Sequence, residues 1–288
     1  MAEQKVGEEQ RDTRHPSLKR KATAALGLDT SLAGLVAIVT GSSTGVGAAC
    51  AKDLARRGCD VVINYNNSKE AAEEVATECR KWVRALVVQA DVSSEADCRR
   101  LVEEAVASLG RIDLLVNNAG TTKFCPHADL DGLTGEDFTR IYQTNTVSAF
   151  NMIKFCAPHM RSTGSGRVVN VASHAGVYHT IGSSLAYMTS KAALVALTKA
   201  LAKVLGPAIR VNALCPGFIE GEWLKKGIGE ERYNSVKGSL EEKLPLAAVS
   251  TPELVSENLL WLLTAAPNIT GEAVVMDAGF GLLTGPAL

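Results

Sequence analysis

An α/β fold, one doubly wound domain whose parallel sheet is covered by helices on both faces, is what this sequence predicts, and three observations predict it. Short apolar runs alternate with Ala-rich, charge-studded segments from residue 35 onward. The runs are dense in Val, Ile and Leu, as strands buried on both faces are, and such units link by right-handed crossovers. A glycine-rich turn, Thr40-Gly41-Ser42-Ser43-Thr44-Gly45-Val46-Gly47, joins the first run to the first helical segment.

Taken in order, strands are expected at 35–40, 61–65, 84–90, 113–117, 167–172, 209–215 and 273–277. Helices fill the intervals: one ends at Arg56-Arg57-Gly58, and others span 69–82, 95–109, 136–161 and 252–263. The stretch 184–205 is rich in Ala and Leu and free of Gly and Pro until Gly206-Pro207, so it reads as a long helix. Residues 1–32 stand apart. They mix Glu, Gln, Lys and Arg without apolar period, and Arg14-His15-Pro16 interrupts any helix. No apolar h-region marks a signal peptide, and Glu3, Glu8, Glu9 and Asp12 argue against a mitochondrial presequence. The reading is a flexible N-terminal extension, pinned near 26–32, followed by a single domain over 33–288.

Composition narrows the function classes. With 46% apolar and 21% charged residues and a net charge of −1, nothing points to nucleic acid or an anionic membrane as partner. No apolar run approaches the ~20 residues of a membrane span. Seven scattered cysteines form no C-x-x-C pair, which argues against zinc and against a secreted disulfide framework. No metal is expected, and a cytoplasmic compartment is.

The glycine-rich turn carries the first chemistry. Gly41, Gly45 and Gly47 let the backbone turn tightly and approach a pyrophosphate, while Ser43, Thr44 and Val46 open a helix whose N-terminus attracts an anion. The spacing is G-x-x-x-G-x-G, and its strand-turn-helix setting makes it evidence for a dinucleotide. The ribose discriminator sits about 20 residues on, at the end of the second strand. There the chain has Asn64-Tyr65-Asn66-Asn67-Ser68, with no acid to repel a 2′-phosphate. NADP(H) is therefore favoured, with NAD(H) left open because Thr44 stands where an Arg would help. Asp91 and Val92 follow the third strand at the adenine end, and Asn117-Asn118-Ala119-Gly120 closes the fourth at the ligand-binding edge.

Tyr187-Met188-Thr189-Ser190-Lys191 carries the second. Four residues apart on a helix, Tyr187 and Lys191 share a face, and an ammonium beside a phenol draws its pKa down from about 10 towards the working range. Alone, Y-x-x-x-K arises often by chance. Together, the glycine-rich turn, Asn117–Gly120, Tyr187–Lys191 and Pro216-Gly217 resemble, in order and spacing, the short-chain dehydrogenase/reductase family over residues 33–281. Within it the chain looks most like NADPH-dependent 3-oxoacyl-acyl-carrier-protein reductases and polyketide-type ketone reductases.

The resemblance implies a Rossmann-like fold with a seven-stranded sheet, a homotetramer or dimer, and four roles. Tyr187 would be the proton donor in reduction and base in oxidation. Lys191 would lower its pKa and hold the nicotinamide ribose. Ser173 would donate to the substrate oxygen, and Asn145 would position a water linking Lys191 to solvent. One departure stands out. Thirteen residues before Tyr187, where many members have serine, this chain has His174; Ser173 is fourteen before. The Ala172-Ser173 match points to one residue inserted within 177–185 rather than to a lost serine; with the insertion elsewhere, His174 would face the substrate.

The family also implies that Pro216, Gly217, Phe218 and Ile219 lie against the nicotinamide and that a mobile lid spans about 218–246. Phe124, Tyr178, His179 and Trp223 are candidates to line the pocket. The expected activity interconverts a ketone and a secondary alcohol, free or on an acyl carrier. An NAD(H)-dependent alcohol dehydrogenase and a non-catalytic dinucleotide sensor on the same fold are the alternatives.

Overall fold

The computed structural model describes residues 31–284 apart from Thr180. The expected extension falls outside them except at its end. Leu32 is buried, and its N–H donates to the Arg57 carbonyl at 2.8 Å. From Ser31 on the chain forms one compact unit.

Its frame is β1 (Val36–Val39), α1 (Gly45–Arg56), β2 (Asp60–Tyr65), α2 (Lys69–Cys79), β3 (Ala85–Gln89), α3 (Glu95–Leu109) and β4 (Leu114–Asn117). The second half runs α4 (Gly135–Tyr142), α5 (Ser148–Thr163), β5 (Gly166–Val171), α6 (Ala175–Tyr178), α7 (Leu185–Leu205) and β6 (Ile209–Pro216). It closes with α8 (Glu222–Ile228), α9 (Glu230–Lys243), α10 (Pro252–Thr264), β7 (Ala273–Met276) and a 3₁₀ turn at Phe280–Thr284. The seven strands form one parallel sheet in the order β3-β2-β1-β4-β5-β6-β7. The order reverses between β1 and β4, and that crevice is where open α/β sheets bind ligands.

Alternation along the strands builds two cores. Ala37, Val39, Leu114 and Val116 pack with Leu54, Leu259 and Leu263 beneath α1 and α10. Val36, Ile38 and Leu115 face the other way, onto Leu101, Met152, Cys156 and Leu205 of α3, α5 and α7. All seven cysteines are free and buried, and burial raises each thiol's pKa. No helix among the described residues is long and apolar enough to cross a membrane.

Three local features depart from the sequence reading. The single helix expected over 136–161 is two helices joined by a π-helical turn at Gln143–Val147. The short α6 had no periodic signal, because Gly176 sits inside it. The lid region contains two helices, α8 and α9, anchored by buried Tyr233 and by a Lys237–Glu220 ion pair at 2.6 Å.

Candidate active site

Tyr187 owes its position to a cap. Ser184 N-caps α7 and its Oγ accepts the Tyr187 N–H at 3.2 Å, which fixes the first turn and sets Lys191 one turn further on. Lys191 is buried; its Nζ donates to the Val171 carbonyl at 2.7 Å and lies 5.7 Å from the centre of the Tyr187 ring. Burial lowers the Lys191 pKa to about 8. Burial also pushes the Tyr187 phenol up to about 12, against a hydrogen bond with Ser173 that pulls it down. This corrects the expected balance. Desolvation sets the direction at the phenol, and the Lys191 ammonium gives one of its three protons to the Val171 carbonyl.

Ser173, and not His174, meets Tyr187. Ser173 is buried at the exit of β5, where its Oγ also accepts the Ala175 N–H at 3.1 Å. His174 turns away. Its N–H donates to the Pro216 carbonyl at 3.0 Å, and its ring packs on Phe280 and Tyr178, with Nδ1 3.9 Å from Asp277 Oδ2. Burial lowers the His174 pKa to about 4. α6 follows at once, and a Cβ on Gly176 would stand 2.5 Å from the Lys191 backbone carbon, so only glycine allows α6 to seat against α7.

Asn145 sits in the π-helical turn, a feature frequent at functional sites. Its Oδ1 accepts the Thr121 N–H at 2.7 Å, and its Nδ2 donates to the Thr121 carbonyl and to Ser190 Oγ, both at 2.9 Å. Ser190 in turn donates to the Tyr187 carbonyl at 2.7 Å. Gly120 lies between the two polar groups: a Cβ there would be 3.3 Å from Asn145 Oδ1 and 3.5 Å from Lys191 Nζ. Asn145, Ser173, Tyr187 and Lys191 are thus gathered at the carboxyl ends of β4 and β5.

The dinucleotide half fits its expected guest. Gly41 and Gly45 adopt φ of 60° and 56°, values favouring glycine. A Cβ on Gly47 would stand 2.5 Å from both Asn118 Nδ2 and the Gly41 carbonyl. Thr44 makes no side-chain cap on α1, so the first-turn N–H groups with Ser43 and Val46 are left for an anion. Asn118 Nδ2 donates to the carbonyls of Thr40 and Gly41 at 2.9 and 3.0 Å, and Thr40 Oγ1 accepts the Asn118 and Ala119 N–H groups.

Asn64 is corrected from ribose contact to scaffold. It is 2% exposed; Oδ1 accepts the Gly41 N–H, Nδ2 donates to the Ala90 carbonyl, and its own N–H donates to Ser42 Oγ, all at 3.0 Å. Tyr65 is buried too, leaving Asn66 as the first exposed polar group past β2. Asp91 Oδ1 accepts from the Ser93 N–H and hydroxyl at 2.9 and 2.7 Å, and Val92 points into the core.

On the substrate side, Trp223 stands 5.3 Å from Phe124 and 6.5 Å from Tyr187, ring centre to ring centre. Pro216 and Gly217 lie beside the His174 loop, and Ile219 bridges to Ser250. The Tyr178 hydroxyl donates to Asp277 Oδ2 at 2.8 Å, and its ring packs beside His174. His179 is exposed, with φ of 63° at the end of α6. Ser184 and Ser190 were missed by sequence reasoning. The first carried a signal, since Ser before an apolar helical stretch marks a cap; the second carried none. Among the described residues no His, Cys, Asp and Glu cluster fit for a metal occurs.

The fold, the glycine-rich turn and the Tyr-Lys pair define a nucleotide-dependent oxidoreductase, and comparison with known proteins agrees. A family model described as enoyl-(acyl carrier protein) reductase matches residues 41–281, and the chain belongs to the short-chain dehydrogenase/reductase family. It is 41% identical to a protein described as a candidate second ketoacyl reductase of the granaticin polyketide synthase of Streptomyces violaceoruber, over 86% of this chain and 96% of that one. It is 32% identical to a hydroxynaphthalene reductase-like protein of Metarhizium guizhouense, with the same coverage. It is 31% identical to the 3-oxoacyl-acyl-carrier-protein reductase of Staphylococcus epidermidis, over 84% and 97%. A crystal structure of a candidate short-chain dehydrogenase/reductase from Burkholderia xenovorans superposes with a TM-score of 0.79 at 37% identity, covering 86% and 98%.

Proposed function

We propose that this chain is an NADP(H)-dependent reductase that converts a polyketide-type ketone to a secondary alcohol, with Tyr187 as the proton donor. The observation that carries the reading is the pairing of Ser173 and Tyr187 hydroxyls above buried Lys191. Two hydroxyls side by side can both turn to donate to a carbonyl oxygen that becomes negative during reduction, and donors held in place stabilise that charge more than the ground state. Because burial holds the phenol near 12, Tyr187 is protonated at neutral pH, as a donor must be. Lys191, with its pKa near 8, keeps a positive charge beneath the developing phenolate. Asn145, tied to Ser190, holds the floor of the site.

When bound, the dinucleotide supplies the hydride. Gly41, Ser43, Thr44, Gly45, Val46 and Gly47 would hold its pyrophosphate, Asn66 its adenosine ribose, and Asp91 with the backbone of Val92 its adenine. Asn118, Ala119, Gly120, Pro216, Gly217 and Ile219 would line the nicotinamide end. The absence of an acid in the exposed Asn66-Asn67-Ser68 stretch supports NADP(H) over NAD(H). The ketoacyl and hydroxynaphthalene reductase relatives support a ketone on an acyl chain or ring system. The family supports a homotetramer or dimer, and buried reduced thiols support a cytoplasmic protein.

The test is oxidation of NADPH and NADH in parallel against β-ketoesters, cyclic ketones and a 2-enoyl thioester. Ketone-dependent NADPH oxidation is the expected result. Dominant NADH turnover would make the chain an alcohol dehydrogenase, turnover of the enoyl thioester alone would move the chemistry to a C=C bond, and tight cofactor binding without turnover would favour a sensor.

A further inference from the structure

The side chain of Asp277, directly after β7, is 7% exposed, and three donors meet its charge. Oδ2 accepts the Tyr178 hydroxyl at 2.8 Å and the Gly281 N–H at 3.1 Å, and Oδ1 accepts the Gly279 N–H at 3.0 Å. Hydrogen bonds to an ionised group are shorter and stronger than neutral ones, so the joint is stiff. It holds two flanks. Tyr178 ends α6, and α6 begins by donating the Ala175 N–H to Ser173 Oγ at 3.1 Å, so the grip on Tyr178 reaches the Ser173 hydroxyl through four residues of helix. Gly217 lies on the other flank. Its N–H donates to the Met276 carbonyl at 2.9 Å, and a Cβ on it would meet Asp277 Cβ at 2.8 Å and His174 Nδ1 at 3.4 Å. That Nδ1 is enclosed without a hydrogen-bond partner, so at that nitrogen the ring contributes bulk rather than a bond. Ala278, next in the chain, is held at φ of 56°, a left-handed conformation that a residue with a side chain keeps only where its surroundings impose it.

We propose that Asp277 is a positioning residue for the reduction: gripping α6 through Tyr178 and backing Gly217, it sets how far the Ser173 hydroxyl stands from the Pro216-Gly217 loop. This rests on the reductase reading, in which Ser173 holds the substrate oxygen and Gly217 lies against the nicotinamide. Reacting atoms must meet at near-contact distance, and a misplacement of about 1 Å from a remote change can cost about 10²-fold in rate. Ser173 and Gly217 follow adjacent strands, β5 and β6. Past that ladder the His174 N–H donates to the Pro216 carbonyl at 3.0 Å, and Asp277 adds a tie from outside both strands, which turns a hinge into a braced corner. The chemistry requires a carboxylate. An amide in its place would turn an NH₂ towards one of the three donors.

The test uses the full chain and compares Tyr178→Phe, which removes one donor and leaves the reacting groups in place, with Asp277→Asn and a matched control. The control, Ser256→Ala, deletes another hydroxyl-to-carboxylate bond, Ser256 Oγ to Asp53 Oδ2 at 2.7 Å between α10 and α1. With a ketone that turns over, kcat is expected to fall about tenfold in Tyr178→Phe and further in Asp277→Asn, with KM for NADPH within a factor of about three. Ser256→Ala should keep its kcat. With NADPH deuterated at the transferred hydrogen, the isotope effect on kcat in Tyr178→Phe should be at least that of the wild type, which places the loss on hydride transfer. Hydrogen exchange of the protein without cofactor gives a readout free of turnover. Tyr178→Phe is expected to speed exchange in peptides covering 173–178 and 216–219 as well as 277–283, and Ser256→Ala in none of them. An unchanged kcat, a smaller isotope effect, or faster exchange confined to 277–283 overturns the brace. If no ketone turns over but exchange rises in all three segments, the brace stands and the reductase reading falls.

Discussion

At the scale of single residues, the proposal lives in the balance between burial and charge. Removing the Tyr187 hydroxyl deletes the proton donor and leaves the dinucleotide turn untouched. Tyr187→Phe should therefore lower kcat by about 10²–10⁴-fold, while NADPH affinity, followed by fluorescence titration, stays within a factor of a few. Equal turnover in the variant would remove Tyr187 from the chemistry. Lys191 sets the alkaline limb. Its charge is present below its lowered pKa of about 8 and lost above it, so the reduction rate should decline as pH rises through that value. A profile flat to pH 10 would show that the ammonium is dispensable. Tyr187 and Lys191 were legible from their four-residue spacing on an uninterrupted helix. The choice between Ser173 and His174 was not, because it turns on an α6 that the sequence conceals; only the fold shows His174 drawn off towards Asp277.

At the scale of elements, the braces are predicted to matter as much as the contacts. Asn64 joins the glycine-rich turn of β1 to β2 and to the end of β3 with hydrogen bonds a shorter side chain cannot replace. Asn64→Ala leaves the Gly41 N–H and Ala90 carbonyl without their partner, a loss of about 2 kcal/mol or more, measurable by urea denaturation. An Asn64→Ala variant of unchanged stability but weakened cofactor binding would return the residue to the ribose. Gly47→Ala presses α1 off Asn118 and the Gly41 carbonyl, and should raise the NADPH dissociation constant at least about tenfold, since overpacking typically costs 1–3 kcal/mol. Strands were the most readable elements, because burial on both faces leaves an unbroken apolar run. The π-helical turn at Gln143–Val147 was unreadable: Thr144, Asn145, Thr146 and Val147 are weak helix formers within a longer helical pattern, and nothing in their order marks a widened turn, which the fold shows together with the ties of Asn145 to Thr121 and Ser190.

At the scale of the whole molecule, one titration couples to folding. His174 has its pKa lowered by burial to about 4, against 6.5 when free. Between these values the unfolded chain binds the extra proton and the folded one does not, so stability is full above pH 6.5 and falls as pH drops towards 4. The loss is on the order of 3 kcal/mol across that window, and it should shrink in His174→Leu when the urea midpoint is compared at pH 7 and pH 5. A second consequence follows from the seven buried thiols. Cys98 and Cys156 lie on one side of the sheet, Cys50, Cys59 and Cys79 on the other, Cys215 in a smaller cluster with Ala172 and Leu194, and Cys125, 6% exposed, in the loop after β4. Protonated and shielded, they are silent towards an alkylating dye in the native state, so each labelling event records a local opening. Mass-resolved labelling over time would then read the molecule as a pair of clocks, one for each half of the sandwich. Cys125 should tick first, and whichever face follows is the one whose helices lift from the sheet at lower cost.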